Sequence, residues 1–375
     1  MRNENNVFGE WSRRLWIVAL CLQSSIFNLQ SSICTAQTTV SDYRPGVTTE
    51  GAVYFLPRTA LRISVLVERT TYEPGDFASY AQRYLRLQGV SLEPSVSHRV
   101  VSVTQQSFGQ ADQQKAYAVK FNAKTVAANV ALADDGRLLA INAEPTAEPR
   151  PAAFTPAPKP APLNPRQFMN EEILSAGSTA KMAELTSREI YDLRENQSLL
   201  IKGQADFMPQ DGQQLKLMLA QIETQELALR SLFEGVTTRD TTEYILTYVP
   251  TKPVSRELLF RLSQQVGLVD ADDLSGDPYY ITIENIDVLP PTDEAAAAKT
   301  KKKEYEAGIY VNIPGRIRST IHQGIDQIAQ AQFPAAQFGN VELLSADLFN
   351  KHYTTQLWLN PVTGAVERLQ ADMKK

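Results

Sequence analysis

The sequence predicts an α+β protein with two β-rich mixed modules, similar to each other in two short stretches and separated by an antiparallel helical hairpin. Two observations predict this class. Alternating apolar and polar runs bounded by Gly, Pro and Asn occupy both ends of the 375-residue chain, a pattern typical of strands. Between them, residues 170–234 carry apolar side chains three and four positions apart, the spacing of amphipathic helices.

The N-terminal module contains strands, one helix and a closing hairpin. Residues 52–70, AVYFLPRTALRISVLVERT, predict two strands separated by a break at the proline. Residues 75–87 predict a helix, because aromatic and aliphatic residues recur at helical spacing. Residues 98–106 and 115–121 predict further strands, and residues 129–143 predict a hairpin around Asp-Asp-Gly.

The central segment predicts two helices, over residues 180–203 and 212–235. Gly203, Pro209 and Gly212 interrupt the helical pattern between them, and Gly235 ends it. A short break between two amphipathic helices favours an antiparallel hairpin whose apolar stripes pack together. The same stripes could instead bind a helix of a partner protein.

The C-terminal module returns to strand patterns, at residues 241–250, 279–288 and 307–321. Residues 354–370 predict a closing hairpin over an Asn-Pro and a Gly. Two stretches resemble the first module. EGAVYFLP (residues 50–57) is similar to EAGIYVNIP (residues 306–314), and each module ends in a hairpin.

The segment EPTAEPRPAAFTPAPKPAPLNP, residues 144–165, is the clearest boundary in the chain. Its frequent prolines disfavour helix and sheet pairing and are typical of an extended spacer, although such segments can also bind aromatic grooves. The resulting organisation is a signal peptide at 1–36, an N-terminal β-rich module at 37–145, a Pro/Ala-rich linker at 146–168, a helical hairpin at 169–235 and a C-terminal β-rich module at 236–375.

The stretch RRLWIVALCLQSSIFNLQSSICTAQTT, residues 13–39, could be a membrane anchor, a lipid attachment site or a cleaved leader. Its apolar run ends after eight residues, whereas a spanning helix needs about 20. Cys34 follows Ile33, which fits a lipoprotein poorly. Basic residues, an apolar run and small residues near the cut predict a secretory signal peptide ending at about Ala36. Its removal would leave no cysteine and no transmembrane segment.

Several separated blocks, in order along the chain, resemble a family of exported Bacteroidetes proteins characterised only as a domain of unknown function. They are EGAVYFLPRTALRISVLVERT, PQDGQQLKLMLAQIETQELALRSLFEG, RLSQQVGLVDADDLSGDP and GIYVNIPGRIRSTI. The resemblance extends from Val47 to the end of the chain. It implies the periplasm or cell envelope of a Gram-negative bacterium and supports export. It implies no activity and no site residues.

The sequence predicts no catalytic, cofactor-binding or metal-ligating residue and no cofactor. His98, His322 and His352 are far apart and lack paired metal spacing. The serine-hydrolase pattern Gly-x-Ser-x-Gly and glycine-rich phosphate loops are absent. Among 42 acidic residues no pair stands out as the acid and base of a glycosidase.

Three other features predict solvated or structural roles, each with a functional alternative. The loop VDADDLSGDP, residues 269–278, could hold calcium, but Leu274 occupies a ligand position and a capped turn is favoured. The run KTKKKE at residues 299–304 could attract phosphate, but it lacks the aromatic residues of nucleic-acid surfaces. Four aromatic residues could form a sugar platform, namely Tyr279, Tyr280, Tyr353 and Trp358. Aromatic residues on strands, however, usually face the core.

The net charge of −5 provides no electrostatic footprint for nucleic acid. We therefore expect an exported envelope protein that binds or assembles with another envelope protein and is not an enzyme. The alternative is a protein that binds or processes glycans. A groove with exposed aromatic rings would favour sugar binding, and two facing carboxylates would favour hydrolysis.

Overall fold

The computed structural model describes most of the chain. The signal peptide prediction, the lysine-rich run and His352 lie outside the described residues, which are 39–42, 52–120, 129–159, 161–287, 308–345 and 353–373.

The described residues form thirteen strands in chain order. They are β1 (Thr39–Asp42), β2 (Ala52–Glu73), β3 (Ser95–Lys120), β4 (Val130–Leu132), β5 (Leu138–Ile141), β6 (Val236–Tyr248), β7 (Val254–Ser263), β8 (Gly267–Val269), β9 (Asp277–Asn285), β10 (Gly308–Gln323), β11 (Asp326–Ser345), β12 (Tyr353–Leu359) and β13 (Val366–Met373).

The helices are α1 (Ala81–Leu85), α2 (Glu171–Leu174), α3 (Thr179–Lys202) and α4 (Gly212–Glu234), with 3₁₀ turns at Ala78–Tyr80 and Pro165–Phe168. Ser178 and Asp211 cap α3 and α4 by accepting bonds from backbone amides in the first turn. Gly203 ends α3 in the left-handed conformation. Arg194 and Glu226 join the two helices at 2.7 Å. Within the described ranges, no helix has both the length and the hydropathy required to cross a bilayer.

The strands form three antiparallel sheets. The first sheet has the order β1-β3-β2-β6, the second β11-β10-β9-β7-β8 and the third β13-β12-β5-β4. The mixed, β-rich character predicted from the sequence is confirmed. Strands from both sides of the helical hairpin share sheets: β6 pairs with β2, and β12 pairs with β5. The division into two modules stays a prediction, but these pairings mean that the two segments are interleaved.

Pro57, where a strand break was predicted, and Pro314 both lie inside continuous strands. Pro57 is within β2 and Pro314 is within β10, and the pairing register shifts beside each of them. A proline is tolerated at such a bulge because the bulge leaves a backbone amide outside the ladder. The predicted break at Pro57 was therefore wrong, and the strand only changes register there.

Two apolar cores lie between the sheets. The first core joins the inner face of β2, including Leu61 and Ile63, to Ile281 of β9 and Ile317 of β10. The second core joins the other ends of β2, β3 and β10 to the third sheet, and its buried residues are Tyr54, Leu56, Val119, Leu138, Ile141, Ile309, Val311, Leu357 and Leu359. Each long strand thus contributes to both cores, on opposite sides of its bulge.

The helices form a third apolar cluster at the far end of β2. Phe77 and Leu85, from the segment predicted as one helix, pack with Ile190 of α3 and Phe233 of α4. The backbone amide of Phe77 donates to the carbonyl of Leu232 at 2.7 Å. Helices α3 and α4 form where the sequence predicted two helices, and buried residues of both pack in this cluster.

The two similar stretches of sequence occupy equivalent environments. Aligned on their prolines, Phe55 matches Asn312. The amide of Phe55 donates to the carbonyl of Gly136 at 3.0 Å, and that of Asn312 donates to Gly364 at 3.2 Å. Both glycines have positive φ, of 83° and 72°, in the turns of the two closing hairpins. The two stretches thus make the same backbone hydrogen bond to a turn glycine.

Tyr54 of β2 provides a test of the second core. Its hydroxyl accepts from the amide of Tyr310 at 2.9 Å, and burial raises the pKa of its phenol far above the ordinary value of 10. In the unfolded chain the phenol ionises near its ordinary pKa. The protonated Tyr54 phenol therefore contributes its full stabilisation to the folded state below about pH 10. This contribution to the free energy of unfolding is lost as the pH rises above about 10.

We expect the unfolding temperature to fall steeply as the pH rises above about 10, and less steeply in Tyr54→Phe, because one fewer buried phenol must ionise. Near pH 8 the variant should lose about 1 kcal/mol with its hydrogen bond. Thermal unfolding followed by circular dichroism measures both effects. Tyr191→Phe, at a residue 45% exposed, should keep the wild-type pH slope. Equal slopes in all three proteins would contradict this role of Tyr54.

Candidate functional site

The outer face of the first sheet carries a row of polar side chains opposite its core face. Arg62 of β2 pairs in register with Gln106 of β3 and with Thr247 of β6. Phe108 and Ile245 follow on the same face, because residues two apart on a strand point the same way. Ile245 is half exposed, and the Arg62 guanidinium lies 4.0 Å from Glu243.

The proline-rich segment lies across this face. Its described residues form neither helix nor strand, as their proline content predicts. They are nevertheless held to the sheets. Thr146 hydrogen-bonds to Glu367 at 3.2 Å, the carbonyl of Pro149 accepts from Gln106 at 3.4 Å, and Lys159 pairs with Asp240 of β6 at 2.9 Å. The segment is thus an attached strap over the sheet and not a free spacer.

Arg137, at the base of the Asp-Asp-Gly hairpin, is the centre of this attachment. Its guanidinium bonds to Asp135 at 2.7 Å and to Glu148 of the strap at 3.0 Å, and it donates to the carbonyl oxygen of Pro361. Burial by itself lowers the pKa of this guanidinium, but the two carboxylates more than offset that effect and hold it above its ordinary value. The strap, β5 and the closing hairpin therefore meet at one cation.

Gly109 of β3 allows this meeting. A Cβ atom at that position would collide with the Arg137 guanidinium and the Pro361 carbonyl. The amide of Gly109 also donates to the Glu148 carboxylate at 2.8 Å. A residue without a side chain is required here because three segments approach the same stretch of backbone.

A cavity of about 780 Å³ lies between the strap and the sheet. Its apolar lining includes Phe108 and Ile245, and its charged lining includes Arg62, Arg137 and Arg150. Arg137 is already bonded to two carboxylates, whereas Arg150 is exposed and has no ion-pair partner among the described residues. We name this cavity the strap groove. It offers an apolar surface beside unneutralised positive charge.

A second cavity, of about 590 Å³, continues along the same face toward the end of β3. Its lining is polar and includes Arg58, Asp112 and Gln113. Arg58 donates to the amide oxygen of Gln110 at 2.9 Å. Among the described residues, Glu148 is the carboxylate that lines the first cavity and Asp112 the one that lines the second, so these residues do not form the facing pair used in sugar hydrolysis in either cavity.

The histidines singled out in the sequence lie apart. His98 is half-buried on β3 of the first sheet, with its ring Nδ1 3.4 Å from the carbonyl oxygen of Gln264. His322 is half-buried on β10 of the second sheet. In the part of the chain that the structure describes, no three His, Cys, Asp or Glu residues group as metal ligands.

The Asp-rich loop between β8 and β9 forms a hydrogen-bonded turn. The Asp273 carboxylate accepts from the amide of Ser275 at 2.9 Å, and this bond lowers the pKa of that carboxyl. The Arg261 guanidinium donates to the carbonyls of Ala271 and Gly276, at 2.8 and 3.1 Å. The Arg261 guanidinium is therefore bonded to the Gly276 carbonyl, the backbone oxygen at the seventh position of such a calcium loop.

The aromatic residues considered for a sugar platform are divided between two sheets. Tyr279 is buried on β9 and its ring stacks on Phe260, with centroids 4.4 Å apart. Tyr280, on the same strand, lies beneath Arg256, and half-buried Trp358 of β12 lies beneath Arg368. Tyr353 is the first residue of β12. The two partly accessible rings, those of Tyr280 and Trp358, are thus each covered by a guanidinium group.

Sequence reasoning did not single out Arg137 or the strap groove. The available signal was weak: a charged residue follows directly after a turn glycine and opens the apolar run LLAI. A cation at the start of a buried strand needs a carboxylate partner. The sequence offers Asp135 nearby, but only the fold brings Glu148 and Pro361 to the same place.

Loss of the Arg137 side chain should destabilise the fold. Arg137→Ala leaves two carboxylates facing one another without a cation, and we expect a loss of about 2–3 kcal/mol. This is less than the 3–5 kcal/mol of fully buried pairs, because Asp135 and Glu148 keep 37% and 27% of their side chains exposed. Urea unfolding at neutral pH measures the change. Arg150→Ala, at an exposed position, should change stability by less than about 0.5 kcal/mol. Equal losses in the two variants would contradict the assigned role.

Comparison with known proteins adds a family but no activity. No curated protein and no solved structure matches the chain. A family model, described as the DUF4831 domain of unknown function, matches residues 50–367. The match begins just before β2 and ends within β13, so it includes strands β2 to β12, the strap and the helices. The chain therefore belongs to the DUF4831 family.

Proposed function

We propose that this protein is exported to the periplasm or cell envelope of a Gram-negative bacterium and binds another envelope protein without catalysing a reaction. The strap groove is the binding site in this proposal. The observation that carries it is the combination of an apolar lining with Arg150, a cation without an ion-pair partner among the described residues, on an otherwise polar sheet face. Apolar contact with a few placed charges is the usual composition of a specific binding site.

The groove suits an extended acidic segment of a partner. Phe108 and Ile245 provide apolar contact, and Arg62 and Arg150 provide positive charge on either side of it. The adjacent strand β6 forms an edge of the first sheet. A partner chain laid along the groove can therefore also pair its backbone with that edge, a common mode of peptide recognition.

The export part of the proposal rests on the N-terminal segment and on the resemblance to exported Bacteroidetes proteins. The basic and then apolar residues before Ala36 have the order of a secretory signal. Mass spectrometry of the protein from its native cells tests this part separately. An N-terminus at Gln37 supports a cleaved leader, and a lipid-modified Cys34 contradicts it.

Site-specific crosslinking tests the binding site. A photoreactive amino acid in place of Thr247, which is exposed and lines the groove, should capture one dominant envelope protein in living cells. Arg150→Glu should reduce that product at least about fivefold, because a reversed charge at the edge of an interface slows association. The product is identified by peptide mass spectrometry.

Lys216→Glu is the matched control, because Lys216 is an exposed cation on α4, away from the groove. It makes the same change in net charge and should leave the crosslinked product unchanged. An equal effect of both reversals would indicate a general charge effect and contradict the groove as the site. The absence of any reproducible protein product would contradict protein binding altogether.

The second cavity favours an alternative function, glycan binding. Its amide and charged side chains, among them Gln113 and Asp112, can hydrogen-bond to sugar hydroxyls. On a glycan array this alternative predicts retained ligands whose binding is lost in Gln113→Leu and kept in Gln327→Leu, an exposed glutamine of β11. An array without retained ligands would exclude it for the glycans tested.

A further inference from the structure

Strand β13 forms one edge of the third sheet. It pairs on one side with β12, and among the described residues no strand pairs with its other side. Seven of its eight residues are exposed, including the apolar Leu369 and Met373, which are 39% and 73% exposed. An exposed edge with apolar side chains is a template for pairing with another strand.

One face of β13 carries an ordered row of polar side chains. Arg368 donates to the amide oxygen of Gln370 at 3.0 Å, and Gln370 donates to Asp372 at 3.1 Å. The guanidinium of Arg368 lies 4.8 Å from the centre of the Trp358 ring beneath it. The row therefore runs from positive through neutral to negative along the strand, with its cation held in place.

We propose that two copies of this chain associate by antiparallel pairing of their β13 strands, with Gln370 on the two-fold axis. In this register Arg368 of each copy lies opposite Asp372 of the other, and Gln370 lies opposite its own copy. On the other face of the strand, Leu369 of one copy lies next to Ala371 of the other. This is the face that also carries the buried Leu357 of β12. The row is self-complementary, as a two-fold interface requires.

Neighbouring registers lack this complementarity. An axis at Arg368 would place two guanidinium groups opposite each other, and an axis at Asp372 would place two carboxylates opposite each other. Like charges directly opposite one another on adjacent strands are destabilising. The charges of β13 thus favour the axis at Gln370, which pairs opposite charges twice, over these two registers, and the third sheet becomes a continuous eight-stranded sheet across the dimer.

A charge swap tests the interface. Sedimentation analysis of the purified protein should give a concentration-dependent monomer–dimer equilibrium. Arg368→Asp and Asp372→Arg should each weaken dimerisation at least about tenfold, because each places two like-charge pairs across the axis. The double variant Arg368→Asp with Asp372→Arg restores opposite charges and should return to within about threefold of the wild type. These side chains are exposed, and circular dichroism verifies that every variant is folded.

Disulfide crosslinking tests the register independently of charge. With Cys21 and Cys34 replaced by serine, Gln370→Cys should form a disulfide-linked dimer under mild oxidation, because the substituted position faces its own copy at cross-strand distance. Thr238→Cys, on the exposed edge strand β6, should remain monomeric under the same conditions.

A protein that stays monomeric at every concentration, and whose Gln370→Cys variant does not crosslink, would overturn the proposal. So would a dimer that is insensitive to both single charge reversals, since its interface must then lie elsewhere. A double variant that fails to recover, together with equal crosslinking at positions 238 and 370, would overturn the register. Recovery in the double variant and selective crosslinking at position 370 would establish it.

Discussion

The fold depends on two long strands that each serve two apolar cores. Strand β2 contributes Leu61 and Ile63 to the first core and Tyr54 to the second, and β10 contributes Ile317 and Ile309 in the same way. At about 3.3 Å per residue a strand of this length far exceeds one core. The pairing register shifts beside Pro57 and Pro314, between the residues that serve the second core and those that serve the first.

The local parts of this fold were predictable and the pairings were not. The Asp-Asp-Gly hairpin, the closing hairpin and the helical hairpin are encoded by nearby residues, such as turn glycines and apolar side chains at helical spacing. The strand β11, DQIAQAQFPAAQFGNVELLS, escaped prediction because glutamine and alanine dominate its sequence and a proline interrupts it. Its identity as a strand depends on pairing with β10, which provides the hydrogen bonds that its own propensity does not.

The candidate site follows from the same interleaving. Arg137 and Asp135 are neighbours in sequence, but Glu148 and Pro361 reach them only when the strap and the closing hairpin fold onto β5. Sequence composition predicted an extended proline-rich spacer, and its described residues up to 164 form neither helix nor strand. It contained no signal that this segment would be bonded to the sheet and would enclose a groove. Sites built from residues distant in sequence lack a local pattern to recognise.

The bond between Tyr54 and Tyr310 spans 256 positions, and that between Asn142 and Thr355 spans 213. Contacts of such high sequence separation give the protein a large contact order, and large contact order slows folding. When the chain emerges N-terminus first, β5 can pair with β4 and the start of β2 with β3, but their further partners in β12 and β10 are made only near the end of the sequence. Until then their edges and apolar faces are open to other chains. Folding therefore requires protection from aggregation for longer than in a protein of equal size whose neighbouring strands pair in order.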